Sequence, residues 1–139
     1  MGTAASGPAR FRTPEDLARG MDLASLEADL ASLDPGEPAG VCGDVWGCLV
    51  AAAFERAFPG CWPSVLLTGK GRAAVAFGNE ELPIDLRPAL RLADELDRLL
   101  PAFDALGRAG HVATAAECLA LVRDLQAGRA REGGDTWPR

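Results

Sequence analysis

The stretch from Val41 to Phe77, VCGDVWGCLVAAAFERAFPGCWPSVLLTGKGRAAVAF, constrains the fold of this chain more than any other segment. From Val45 to Phe58 nearly every position is apolar, and a helix without a polar face is buried on most sides. Asp44 is placed to cap that helix, and Pro59-Gly60 to end it. Two β-prone runs follow, Ser64–Thr68 and Arg72–Phe77, joined by Gly69-Lys70-Gly71. Glycine supplies the positive φ that a tight hairpin turn requires. A lone two-stranded hairpin is marginal in water unless something packs on it or pairs with its edge. A partner protein or a second copy of the chain is therefore expected at that edge.

Helices are predicted on both sides of this stretch. Thr13-Pro14-Glu15-Asp16 is a strong helix start: Thr13 caps, Pro14 suits the first position, and the acids meet the positive end of the helix dipole. Leu23, Leu26, Leu30 and Leu33 fall on one helical face, with Gly20 and Asp22 marking a break and a second cap ahead of them. Gly40 to Gly43 reads as loop. A third major helix is expected from Asp85–Pro88 onward, burying Leu92, Leu96, Leu99, Phe103 and Leu106, with Pro101 kinking or dividing it. Thr114-Ala115-Ala116-Glu117 is a capping box opening a last helix that runs to about Gln126. The expected fold is α+β and mostly helical, four to five helices packed around a single antiparallel β-hairpin. It comprises one domain over residues 11–128, with disordered tails at 1–10 and 129–139.

Composition narrows the partners. The chain has 139 residues, 48% hydrophobic and 24% charged, with a net charge of −6. That suits an ordinary globular domain. Lys70 is the only lysine and no basic stripe exists, which argues against nucleic acid, because neutralising phosphate supplies most of that affinity. No apolar run reaches the ~18 residues of a membrane span. Met1-Gly2-Thr3-Ala4-Ala5-Ser6 fits the N-myristoylation pattern, so a membrane contact is expected only if Gly2 is acylated. A cytoplasmic location with reduced cysteines is the expectation.

The residues able to carry chemistry are few. Cys42, Cys48 and Cys61 are spaced C-x5-C and C-x12-C, and only Cys118 and His111 could add a fourth ligand. Structural zinc sites use closer pairs, so no metal or other cofactor is expected. Cys42 lies just before the expected helix, whose dipole would lower its thiol pKa. With His111, the only histidine, it forms the alternative reading: a cytosolic thiol enzyme or redox sensor. Gly69-Lys70-Gly71 lacks the Ser/Thr and following helix of a phosphate loop and is a turn. Glu80, Glu81 and Asp85 crowd one loop after the second strand without the spacing of a calcium loop. Trp62, between Cys61 and Pro63, precedes an edge strand; a core place is its leading reading and, since tryptophan is a favoured interface anchor, a contact surface is the other.

The segment Asp104 to Leu125, DALGRAGHVATAAECLALVRDL, resembles a helix-turn-helix hairpin of tetratricopeptide-like repeats in its LGRAG and A-A-E-C-L runs. Such solenoids need about three units to bury a core, and no second copy occurs here, so an ordinary α-hairpin is the expectation. The leading functional expectation is a non-catalytic protein-interaction module, a small acidic adaptor, chaperone or neutraliser of a basic partner. Its contact surface would be the hairpin edge, Trp62 and the carboxylates Glu80, Glu81 and Asp85.

Overall fold

The structure is a computed structural model and describes residues 11–78 and 89–132. These form five helices and two small antiparallel sheets. In chain order they are α1 (Pro14–Gly20), α2 (Leu23–Ala31), β1 (Pro38–Val41), α3 (Leu49–Ala57), β2 (Ser64–Leu67), β3 (Ala73–Ala76), β4 (Ala89–Arg91), α4 (Leu96–Asp104), β5 (Val112–Thr114) and α5 (Ala115–Glu132). The α+β class holds. The single hairpin does not: β1 pairs with β5, and β2, β3 and β4 form a second sheet in that order.

The helix starts follow the local chemistry of the sequence. Thr13 Oγ1 accepts from the Asp16 N–H at 3.0 Å, and Asp22 Oδ1 accepts from the Ser25 N–H at 2.8 Å. The chain breaks between α1 and α2 at Met21, which is extended. At α5 the capping box is complete: Glu117 N–H donates to Thr114 Oγ1 at 3.2 Å while Thr114 N–H donates to Glu117 Oε1 at 2.9 Å.

Five elements differ from the sequence expectation: α3, β1, β4, β5 and α5. The apolar helix begins at Leu49 with Cys48 as its cap, four residues later than the pattern suggested. Residues Cys42 to Gly47 instead fold back on β1, the Val41 N–H reaching Gly47 O at 2.7 Å, and Asp44 Oδ1 accepts from Trp46 N–H at 2.9 Å within that turn. Val45 and Trp46 are consequently exposed rather than core. Gly40 lies in a strand, not a loop, and its backbone is close-packed: a Cβ there would meet Leu49 N at 2.6 Å. Residues 89–91 form β4 where helix was expected, and α4 then runs through Pro101 undivided. The resemblance to a tetratricopeptide-like hairpin fails because β5 separates α4 from α5 and pairs with β1. The last helix reaches Glu132 rather than Gln126.

The core lies between the helices and the β2–β3–β4 sheet. Leu17, Met21, Leu26, Leu30, Phe54, Leu96, Leu99 and Phe103 are fully or almost fully buried. Phe54 meets Phe77 edge to face, with ring centroids 5.2 Å apart, a geometry aromatic quadrupoles favour. All four residues of the central strand β3 are buried. β2 is buried only at Ser64 and Val65, and its second half, Leu66 and Leu67, is exposed. Among the described residues no helix is long and apolar enough to cross a membrane.

Candidate functional site

The hairpin connecting β2 and β3 pairs Ser64 with Ala76 through to Leu67 with Ala73. Its turn closes with Thr68 N–H on Arg72 O and Gly71 N–H on Thr68 O, and Gly71 takes the positive φ of +75°. β4 occupies the far side of β3, so one of the two hairpin edges is already satisfied within the fold. The other edge belongs to β2. Val65 N–H points outward and donates to Val45 O at 2.8 Å, so the returning loop covers the first half of that edge. Alternation of an antiparallel ladder turns the Leu67 N–H outward as well. No backbone partner meets it among the described residues.

Beside this half-open edge runs an apolar groove of about 230 Å³. Val65, Leu66, Leu67, Val45, Cys48 and Leu100 give it its apolar lining, and Asp44 and Asp104 line it as well. Leu66 and Leu67 are each 38% exposed and Val45 36%. Trp46, adjacent to Val45, is 58% exposed. Three of the six large apolar side chains exposed among the described residues thus line one groove. A second, larger hollow of about 410 Å³ between α2 and the start of α5 includes none of them. Drug-sized ligands occupy pockets of roughly 300–1,000 Å³, and the groove beside β2 is smaller than that range. Its size fits one or two side chains of a polypeptide.

The acids at the groove are fixed in place by backbone donors. Asp44 takes the Trp46 N–H, and Asp104 Oδ1 takes the Gly43 N–H at 2.9 Å. Their charge reaches the groove floor: burial pushes the Cys48 thiol up to about 11, with Asp104 and Asp44 adding to the rise.

Of the residues singled out from sequence, Trp62 is exposed, 45% accessible, on the turn ahead of β2. It does not line the groove. Its φ of +53° is in the left-handed region, where a bulky side chain costs about 1–3 kcal/mol and survives only when its surroundings hold it. Glu80, Glu81 and Asp85 lie outside the described residues. The sequence reading missed Val45, Leu66, Leu67, Asp44 and Asp104 as one cluster. The one available signal was two adjacent leucines on a strand, which puts an apolar side chain on each face of the sheet.

The thiol constellation takes an unexpected form. Cys42 and His111 are backbone neighbours, Cys42 N–H donating to His111 O at 2.9 Å. Their side chains diverge. Cys42 Sγ donates to Phe103 O at 3.2 Å inside the core, and His111 Nε2 is 3.6 Å from Glu117 Oε2. The expected dipole effect on Cys42 is absent because α3 starts at Leu49; burial, then Asp104, raises its thiol pKa instead. All four cysteines are free, and Cys61 alone is not buried. Among the described residues no three His, Cys, Asp or Glu side chains are grouped as a metal site would need. The chain matches no protein-family model, no curated protein and no solved structure.

Proposed function

We propose that this chain is a non-catalytic interaction module that receives an extended segment of another protein along the outer edge of β2. The observation that carries this reading is the coincidence of an outward Leu67 N–H with an apolar groove lined by the exposed Leu66, Leu67 and Val45. Edge-strand recognition uses those two parts together: backbone hydrogen bonds provide affinity, and a pocket for alternate side chains provides selectivity. Because Val45 covers the first half of the edge, the ladder a partner could form is short, and side-chain burial would supply most of the affinity. Each apolar side chain fully buried contributes roughly 1.5–3 kcal/mol.

The test is selection of a random dodecapeptide display library on the folded chain, with Leu67→Asp as the comparison. Leu67 is at the exposed end of an edge strand, so the substitution is expected to leave the fold intact, checked by circular dichroism. Enriched peptides that lose at least about tenfold in affinity for the variant, about 1.4 kcal/mol, support the reading. No enrichment, or equal binding to both chains, overturns it.

A further inference from the structure

The groove beside β2 carries two carboxylates and no cation. Asp44 and Asp104 both line it, and no lysine, arginine or histidine does. Each is anchored through Oδ1 to a backbone N–H, of Trp46 and Gly43 respectively. Neither Oδ2 has a hydrogen-bond or ion-pair partner among the described residues. The anchor of Asp104 is the residue next to Asp44, so the two negative charges lie at the same end of the groove. Three acids elsewhere are paired with arginines, Asp16 with Arg19, Asp94 with Arg91 and Glu27 with Arg123, whereas no arginine or lysine lines the groove to neutralise Asp44 and Asp104. Two like charges beside an apolar wall make a local field that draws a cation and repels an anion. The whole chain, at −6, reinforces that field.

We infer that the segment received at β2 seats an apolar side chain in the groove and sets a lysine or arginine beside it against Asp44 and Asp104. This rests on the interaction reading above and adds the chemistry of the occupant. A second copy of the chain fits less well. A two-fold contact is self-complementary, so pairing β2 with β2 would bring the same two carboxylates of each copy to one seam.

The experiment is performed on the full chain with the dodecapeptide library as probe. The expected result is enrichment of peptides with Lys or Arg one or two positions from an apolar residue. The double variant Asp44→Asn/Asp104→Asn keeps both carbonyl acceptors for Trp46 and Gly43 while removing both charges. Its affinity for the selected peptides should fall by about three- to tenfold, as expected for two partly exposed ion pairs. Analogues with Gln in place of Lys or Arg should bind the variant and the native chain alike.

Enrichment of apolar peptides with neutral or acidic flanks overturns the inference and leaves the interaction reading standing, provided Leu67→Asp abolishes their binding. Peptides indifferent to Leu67→Asp sink both. Self-association of the chain alone by light scattering, reversed by Leu67→Asp, also overturns the inference, because the occupant is then a second copy.

Discussion

At the scale of single residues, the side chains that first suggest chemistry are those the fold removes from it. Cys42, Cys48 and Cys118 are buried, and desolvation raises all three thiols, Cys118 to about 12. Cys61 is only partly covered, yet its thiol is also pushed up, to about 11. The thiolate is the reactive species, so none of the four is activated. Native-state alkylation at pH 8, followed by peptide mass mapping, should modify Cys61 first and slowly. Cys42, Cys48 and Cys118 should react only with unfolding. Fast labelling of Cys42 would contradict this and reopen a thiol chemistry. Trp62 shows the complementary case: among the aromatics around the apolar helix a core place was the leading expectation for it, with a surface anchor second, and the structure exposes it. Its left-handed backbone was not legible, because nothing in a local pattern signals a strained aromatic.

At the scale of elements, legibility followed how local the stabilising contacts are. Caps act over three residues, and those at Thr13, Asp22 and Thr114 occur where the sequence puts them. The hairpin, also local, was legible to within one residue at each strand end. β1, β4 and β5 were not. They are three or four residues long, and β1 carries a register shift between Pro38 and Gly40. β1 finds its partner more than seventy positions away, a pairing that periodicity cannot see. The apolar run after Cys42 misled for a related reason: Val45 and Trp46 look like core in a helical pattern, but the loop Cys42–Gly47 is held to β1 by backbone bonds that no side-chain pattern encodes.

The cap of α5 yields a pH prediction. Accepting the Thr114 N–H, and next to it the interaction with His111, holds the Glu117 carboxyl below its ordinary value of 4.5. A depressed folded-state pKa stabilises the fold above the unfolded value, and the contribution disappears as pH falls through the folded value. In urea denaturation, the stability difference between the native chain and Glu117→Gln should shrink as pH falls below about 4.5. A difference that persists unchanged to pH 3 would show that the carboxylate charge plays no part in the cap. Thr114→Ala should cost about 1 kcal/mol at pH 7, the usual value for a lost helix cap.

At the scale of the whole molecule, an α+β chain of short elements closes its core around Phe54 and Phe103 and leaves one strand half-finished. The sequence made an unsatisfied hairpin edge foreseeable. It could not reveal that β4 satisfies one side, or that Val45 caps the start of the other. Nor could it bring Asp44 and Asp104 together across sixty residues. That juxtaposition depends on the loop after β1 meeting the end of α4, where Cys42 bonds to Phe103 and Gly43 to Asp104. The acids at the groove are Asp44 and Asp104, while Glu80, Glu81 and Asp85 lie outside the described residues.

The central claim is a location, and it is tested most directly by titrating the ¹⁵N-labelled chain with a selected peptide and recording which amide signals move. The expected shifts are confined to Gly43–Trp46 and Val65–Thr68, with the Leu67 amide also gaining protection from hydrogen exchange as its outward N–H finds an acceptor. Shifts centred instead on Leu30–Leu33 and Ala115–Ala120, the hollow between α2 and α5, would contradict a binding site at the β2 edge.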